Sequence, residues 1–162
     1  MAKCLVTGGA GFVGSNLVDT LIECGHEVVV IDNLANGKRE YINPKAGFRE
    51  LDLRNLENIK SAFVGVDYVF HEAVLARVEP SIKDPITYND NNVNATLNVL
   101  VAARDAQVKK VVYASSSSIY GDQEKMPLTE DMPGTPISPY GLQKYIGEQY
   151  CRVFSYVYKL LS

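Results

Sequence analysis

The stretch VTGGAGFVGSNL, residues 6–17, decides the fold. It joins a short apolar run, KCLVT at residues 3–7, to a helical pattern that begins at Phe12. Gly9, Gly11 and Gly14 have the spacing G-x-G-x-x-G, and Gly8, Gly11 and Gly14 have the spacing G-x-x-G-x-x-G. Such glycines let the backbone turn tightly and approach a pyrophosphate, while the helix N-terminus adds partial positive charge. Because a strand precedes the motif and a helix follows it, we predict a dinucleotide site rather than a structural turn.

Short β-branched runs alternate with helical patterns along the rest of the chain. Further strands are predicted at residues 27–31, 48–51, 68–71 and 110–114, and helices at 12–24, 55–63, 88–106 and 139–160. Continuous apolar strands separated by helices indicate a parallel sheet that is covered on both faces. Right-handed crossovers then make the chain an α/β protein with a doubly wound parallel sheet of the Rossmann type and about five strands.

Composition and charge argue against several classes of protein. A formal net charge of −3 offers no basic surface to nucleic acid or to a membrane. No apolar run approaches the roughly 20 residues of a membrane-spanning helix, and we expect no secretory leader. Three cysteines and two histidines are too few and too scattered for a disulfide framework or a metal site. We therefore expect a cytoplasmic protein with no metal and with neither nucleic-acid nor membrane partners.

Two aspartates follow predicted strands where an adenosine would lie. Asp32 ends the second strand, and a carboxylate there accepts hydrogen bonds from ribose hydroxyls and repels a 2′-phosphate. Asn33 follows instead of a basic residue, which favours NAD over NADP, although Lys38 and Arg39 could still reach a 2′-phosphate. The alternative is that Asp32 only begins a turn. Asp52 follows the third strand, where it would contact the adenine amine or cap the next helix.

The spacing Tyr-x-x-x-Lys occurs twice in the sequence. Tyr41 and Lys45 enclose Pro44, which blocks helical geometry, so their side chains need not share a face. Tyr140 and Lys144 begin a long predicted helix, on which residues i and i+4 lie on one face. This second pair follows the fifth strand, at the edge of the sheet where a nicotinamide would lie. We therefore select the second pair as the candidate.

A tyrosine and a lysine in this arrangement can carry out proton transfer. A nearby ammonium and a positive nicotinamide ring favour the phenolate form of the tyrosine. The phenolate can take a proton from a substrate alcohol while hydride leaves the same carbon. The lysine would also hold the nicotinamide ribose. The loop YASSSSIYGD, residues 113–122, supplies serines that can share a hydrogen bond with the reacting oxygen, although four serines are often only a polar loop.

Six separated motifs together resemble the extended short-chain dehydrogenase/reductase family. They are TGGAGFVGSNL, IDNLANGKR, FHEAV, NNVNATLNVL, VVYASSSSIYGD and SPYGLQK, in the family's order from Thr7 to Lys144. The sequence looks most like the NAD-dependent nucleotide-sugar epimerases of this family, the UDP-glucose 4-epimerase type. In such enzymes NAD takes hydride from C4 of the sugar, and hydride returns to the other face. The resemblance also implies a UDP-hexose substrate and a homodimer formed through two long helices, 88–106 and 139–160.

The resemblance assigns roles to individual residues. Ser116 matches a serine that assists catalysis, Tyr140 matches the base, and Lys144 matches its partner. The cofactor-binding positions implied by the motifs are Gly8, Gly11, Phe12, Val13, Gly14, Asp32, Asn33, Asn36, Gly37, Asp52, Leu53, Ala73, Val74, Leu75, Asn91, Tyr140 and Lys144. Within this set, Phe12 and Val13 would lie over the pyrophosphate, and Asn91 would open the helix after the fourth strand.

Several positions depart from the family pattern. Glu72, Ala76 and Arg77, then Glu79 and Pro80, vary from commoner forms of the FHEAV segment, and Ala95 replaces a usual glycine. These departures bear on the identity of the substrate more than on the cofactor.

Two further features bear on which reaction of the family we expect and on whether this chain alone can carry it out. Ser117 and Ser118 stand where the family's 4,6-dehydratases place Asp-Glu, and a decarboxylase would likewise need a glutamate there. Family members are about twice as long as these 162 residues, so we interpret residues 1–162 as an NAD-binding Rossmann domain that is incomplete, with the substrate domain missing. The alternatives are therefore an NAD-binding module without turnover or another nucleotide-sugar oxidoreductase of the same family.

Overall fold

The computed structural model describes residues 1–162 and contains one parallel sheet. Its five strands are β1 (Lys3–Thr7), β2 (Glu27–Asp32), β3 (Gly47–Glu50), β4 (Tyr68–His71) and β5 (Lys110–Tyr113). Their order across the sheet is β3-β2-β1-β4-β5, and every neighbouring pair is parallel. This confirms the predicted doubly wound sheet. The direction of strand addition reverses between β1 and β4, so a crevice opens beyond the carboxyl ends of those two strands.

Six α-helices cover the sheet, joined in places by tighter or wider turns. The helices are α1 (Phe12–Glu23), α2 (Leu56–Ile59), α3 (Val78–Lys83), α4 (Pro85–Asn89), α5 (Ala95–Asp105) and α6 (Pro139–Tyr158). Short 3₁₀ segments span Arg39–Tyr41, Lys60–Phe63 and Ser117–Ile119, and a π-helical segment, Asp90–Asn94, joins α4 to α5.

The helices differ from the expectations in three respects. The helix expected at 88–106 begins at Pro85, where the Asp84 side chain accepts a hydrogen bond from Thr87 N, and its middle is the π-helical segment. Helix α3 was not predicted. Asp52 does not cap α2: Asn55 does, by accepting a hydrogen bond from Asn58 N at 3.2 Å.

The core is divided between the two faces of the sheet. On one face, Leu5, Val69 and Val111 pack with Phe63 and Leu100 beneath α2, α5 and α6. On the other face, a smaller cluster of four buried valines, Val6, Val18, Val28 and Val30, lies between α1 and the sheet. These valines explain the apolar pattern of β1, β2 and α1. None of the helices is long and apolar enough to span a membrane.

Candidate active site

The glycine loop between β1 and α1 is held close to the backbone that follows β4. Gly8 N donates a hydrogen bond to Ile31 O at 2.8 Å, and Gly11 N donates to Gly8 O at 3.0 Å. Gly8 has φ +72°, and a methyl group there would lie 2.7 Å from Ala73 N. A methyl group at Gly14 would overlap the Gly8 carbonyl oxygen. Side chains are therefore excluded at both positions. The N–H groups of Phe12, Val13 and Gly14, in the first turn of α1, have no partner within the helix and remain available to a ligand.

Asp32 lies at the end of β2, and the backbone fixes its carboxylate. Its Oδ2 accepts from Ala10 N at 3.0 Å, and its Oδ1 accepts from Leu34 N at 2.8 Å. Each oxygen has a second lone pair, so the carboxylate can still accept hydrogen bonds from two hydroxyl groups. The two basic residues nearby have partners elsewhere. Arg39 pairs with Glu50, and Lys38 lies 3.6 Å from Glu40, and neither basic residue lines the cavity beyond the strand ends.

A cavity of about 490 Å³ lies beyond the carboxyl ends of β1, β2 and β4. Most of the expected cofactor residues line it: Gly8, Gly11, Phe12, Val13, Asp32, Asn33, Asn36, Gly37, Asp52, Leu53, Ala73, Val74, Leu75 and Asn91. Gly14, Ser116, Tyr140 and Lys144 do not line it. The structure thus brings together residues from separate sequence motifs around one space.

Two residues of this lining differ from their expected local geometry. Asn91 does not open a helix: it lies within the π-helical segment, and its Nδ2 donates to Thr87 O at 2.8 Å. Asp52 is bound by Arg54, whose side chain donates to Oδ2 at 2.6 Å. This hydrogen bond to Arg54 lowers the pKa of Asp52. Asp52 is therefore an ionised carboxylate with its own counter-ion, at the edge of the cavity.

The Tyr140–Lys144 pair lies on the first turns of α6, as its spacing requires. Ser138 caps this helix by accepting from Gly141 N at 3.1 Å. The Tyr140 N–H, which has no partner within the helix, donates to Ser81 Oγ at 3.1 Å. Ser81 belongs to α3 and is fully buried. A hydroxyl from a different helix therefore fixes the backbone of Tyr140.

Lys144 is only 3% exposed, and its ammonium is directed toward the end of β5. Its Nζ donates to Ala114 O at 2.7 Å and lies 4.9 Å from the centre of the Tyr113 ring. Burial lowers the pKa of Lys144 to about 8, and the Glu72 carboxylate opposes this shift. Burial also raises the pKa of Glu72 itself, so a partly buried acid and a buried base lie near each other between β4 and α6.

The serine turn packs against the start of α6. Ser116 Oγ accepts from Ser118 N at 3.2 Å and caps the Ser117–Ile119 segment. A methyl group at Gly141 would lie 2.5 Å from Ser118 O, so only a glycine next to Tyr140 allows this approach. The fold therefore places the Ser116 turn beside the helix of Tyr140 and Lys144.

The other pair with the Tyr-x-x-x-Lys spacing, Tyr41 and Lys45, lies in the connection from β2 to β3, outside any shared α-helix.

A buried histidine network supports the same region and was missed from the sequence. His71 Nδ1 lies 2.7 Å from Thr7 Oγ1, and Nε2 lies 2.9 Å from Thr96 Oγ1. Thr96 Oγ1 donates its own proton to Asn92 O at 2.6 Å, so it must accept from His71 Nε2–H. Burial lowers the pKa of His71 to about 3, which keeps the ring neutral. The hydrogen bonds that link Thr7, His71, Thr96 and Asn92 therefore have one consistent set of donors and acceptors.

Asn92 connects the cavity lining to the helix of the Tyr140–Lys144 pair. Its Oδ1 accepts from Leu75 N at 2.8 Å, and its Nδ2 donates to Leu75 O at 3.0 Å and to Gln143 Oε1 at 2.9 Å. Asn92 and Gln143 are both buried, and Gln143 precedes Lys144. An asparagine in a helical pattern gives no sequence signal for such a role, because its partners are distant in the chain.

Known proteins are similar to this sequence along nearly its whole length. The model of the NAD dependent epimerase/dehydratase family matches residues 4–160. The chain belongs to this family. It is 40% identical over 149 residues to a UDP-glucose 4-epimerase from Lactobacillus helveticus, a match that covers 91% of this chain and 45% of that protein. UDP-glucose 4-epimerases from Thermotoga maritima and Thermus thermophilus, solved with UDP-glucose and with NAD respectively, are each 40% identical.

The structural likeness to these epimerases extends over nearly all of the chain. The Thermotoga maritima structure has a TM-score of 0.94 and the Thermus thermophilus structure 0.93, and each match covers 98% of this chain and 52% of the solved chain. The chain thus spans about half the length of the curated relatives it matches. The family's nucleotide is NAD. The residues of the cavity fit it, because the first turn of α1 has N–H groups without a partner in the helix and Asp32 retains acceptor sites.

Proposed function

We propose that this chain binds NAD in the cavity beyond β1, β2 and β4, and that it is the cofactor-binding portion of a nucleotide-sugar 4-epimerase of the UDP-glucose/UDP-galactose type. The observation that carries this proposal is the convergence of the glycine loop and Asp32 on one cavity of about 490 Å³. The proposed substrate-binding portion corresponds to the half of the relatives that the chain does not match.

The proposed cofactor contacts take their roles from the family resemblance, and the lining of one cavity by these residues supports them. Backbone N–H groups of the first turn of α1, at Phe12, Val13 and Gly14, bind the pyrophosphate, and Gly8 and Gly11 border it. Asp32 accepts hydrogen bonds from the ribose hydroxyls, and Asn33, Asn36 and Gly37 border that ribose. Further along the crevice, Asp52 and Leu53 flank the adenine, and Ala73, Val74, Leu75 and Asn91 line the way toward Tyr140.

The proposed catalytic groups are those on α6 and the serine turn. NAD, when bound, supplies a hydride acceptor for C4 of the sugar. The Tyr140 side chain, as the phenolate, takes the proton from the C4 hydroxyl group while hydride leaves C4, and the resulting phenol returns that proton when hydride comes back. Lys144, anchored by Ala114 O, places positive charge beside this tyrosine and holds the nicotinamide ribose. Ser116 donates a hydrogen bond to the reacting oxygen.

The activity is tested by supplying NAD and UDP-glucose and measuring UDP-galactose by NMR. The protein is assayed alone and as a chimera that joins residues 1–162 to the unmatched half of the Lactobacillus helveticus enzyme. We expect turnover by the chimera, and loss of turnover with retention of NAD binding in its Tyr140→Phe variant. A folded chimera that binds NAD without converting either sugar nucleotide contradicts the proposed activity.

A second candidate function is an NAD-binding module without turnover. The half-length coverage of the relatives favours it for the chain by itself. Calorimetry with NAD, run beside the activity assay, distinguishes the two candidates. NAD binding by the chain alone without turnover supports the module, whereas turnover by the chain alone excludes it. Another nucleotide-sugar oxidoreductase activity would appear as net NADH formation, which epimerisation does not produce.

We also propose a homodimer through the long helices that follow β4 and β5. Exposed apolar side chains on both support it, including Ile86 on α4, which is 82% exposed, and Leu142 on α6, which is 47% exposed. A monomeric mass by light scattering at micromolar concentration contradicts this arrangement.

The proposed location is the cytoplasm, in keeping with three free thiols, Cys4, Cys24 and Cys151. Fractionation of cells that express the tagged chain tests it.

A further inference from the structure

Arg77 has a backbone conformation that side chains rarely adopt. Its φ is +87° and its ψ is 137°, in a region populated almost entirely by glycine. The other non-glycine residues with positive φ, Leu34, Gln107 and Lys159, have values of +57° to +60°. Glycine would relieve the strain at position 77, but the sequence has an arginine there.

The charge of Arg77 has no partner within the protein. It forms no salt bridge, and the residue lines the cavity beyond β1, β2 and β4. The other charged residues in the lining are Asp32, Asp52 and Glu72. Asp52 is already paired with Arg54, and the backbone binds Asp32. Arg77 is exposed, forms no ion pair within the protein, and is the one cation of a lining whose other charged residues are acidic.

The segment that carries Arg77 is fixed on both sides. Two residues earlier, Asn92 holds the Leu75 backbone through hydrogen bonds at 2.8 and 3.0 Å. Four residues later, Ser81 accepts from Tyr140 N at 3.1 Å. Arg77 therefore lies between the proposed cofactor cavity and the helix of the proposed catalytic pair.

We propose that the Arg77 guanidinium binds the diphosphate of a nucleotide ligand, either the pyrophosphate of the cofactor or the diphosphate of a nucleotide-sugar. This inference rests on the proposed function of the cavity. The planar guanidinium presents parallel N–H donors that match two phosphate oxygens, and its charge compensates for carboxylates that would otherwise repel a dianion. The glycine loop supplies only neutral N–H donors, so a cation is the component that the rest of the lining lacks.

The test compares Arg77→Ala, which removes the charge, with Arg77→Gly, which removes both charge and strain. Calorimetry with NAD and, separately, with UDP measures affinity, and thermal unfolding measures stability. We expect both variants to raise the Kd of NAD or of UDP about tenfold, the effect of losing one charged hydrogen bond. Arg77→Gly should also raise Tm by about 3 °C. Gln107→Gly is the matched control, and it should leave both affinities unchanged.

The two ligands identify the source of the phosphates. A weaker affinity for NAD alone assigns Arg77 to the cofactor, and a weaker affinity for UDP alone assigns it to the nucleotide-sugar. If the wild-type protein binds at least one ligand and both Arg77 variants bind it within about twofold of wild type, this inference is overturned while the proposed function stands. If the wild-type protein binds neither ligand, the proposed function itself fails.

Discussion

Lys144 is expected to make the stability of the protein depend on pH in a specific way. Burial lowers its pKa from an ordinary 10.5 to about 8. Between these values the unfolded chain binds a proton that the folded protein does not, so stability rises as pH increases from about 8 to 10.5. Below pH 8 both states are protonated, and the cost of burying the charge is constant.

The size of this effect follows from the shift in pKa. One pKa unit corresponds to about 1.4 kcal/mol, so the whole window amounts to about 3 kcal/mol. Between about pH 7.5 and 9.5 the wild-type protein should gain about 2 kcal/mol from this residue. Lys144→Met removes the titrating group and loses the hydrogen bond to Ala114 O, which contributes about 1.5–3 kcal/mol at any pH at which the lysine is charged.

Urea unfolding of wild type and Lys144→Met at about pH 7.5, 8.5 and 9.5 measures the effect directly. The free energy of unfolding of the variant, relative to wild type, should fall by about 2 kcal/mol across this range. Lys83→Met is the matched control, because Lys83 is exposed and pairs with Glu79 on α3, and its difference from wild type should stay constant. A difference between wild type and Lys144→Met that is independent of pH refutes the reasoning.

Three further predictions concern groups around the site. Gly14→Ala should abolish NAD binding and destabilise the fold by about 1–3 kcal/mol, because the added methyl group overlaps the Gly8 carbonyl, whereas Gly47→Ala should do neither. The pKa of His71 is lowered to about 3 by burial, so below pH 6.5 the unfolded chain binds a proton that the folded protein does not. The free energy of unfolding of the wild type should therefore fall by about 1.4 kcal/mol per pH unit below pH 6.5. Urea unfolding at about pH 5–6.5 measures this slope, and the His71→Gln variant should lack it. Asn92→Ala should cost about 2–4 kcal/mol in urea unfolding and weaken NAD binding, whereas Asn94→Ala, on the exposed side of the same segment, should change stability by less than about 0.5 kcal/mol. An Asn92 effect no larger than that of Asn94 contradicts this role.

The sheet could be predicted from the sequence because each strand is a short apolar run that ends next to a recognisable turn. The glycine motif settles the first crossover, and the reversal of strand order then places the carboxyl ends of β1 and β4 at one crevice. Asp32, at the end of β2, was expected beside the cavity from this geometry, and Ala73, which follows β4, was expected there from the family resemblance; the structure has both in the lining. For Asp32 the local signal was sufficient, because the end of a parallel strand places its side chain at that edge of the sheet.

The supporting network was not predictable, because its contacts are distant in sequence. His71 meets Thr7 and Thr96, and Asn92 meets Leu75 and Gln143, with nothing in the local pattern of any partner to mark it.

Helix α3 was missed for a related reason. It is six residues long, contains Pro80 and follows a strained arginine. Nor does the sequence show that Lys144 is buried, since lysine on a helix is usually exposed.

Binding of NAD in the cavity beyond β1, β2 and β4 is the property on which every proposed role depends. Isothermal titration calorimetry of the purified chain with NAD, with NADP as the comparison, tests it most directly. We predict binding of one NAD per chain. The Kd of NADP should be at least roughly tenfold higher than that of NAD, because the Asp32 carboxylate repels a 2′-phosphate. Absence of NAD binding by folded protein contradicts the proposed site, and equal affinity for the two nucleotides contradicts the role given to Asp32.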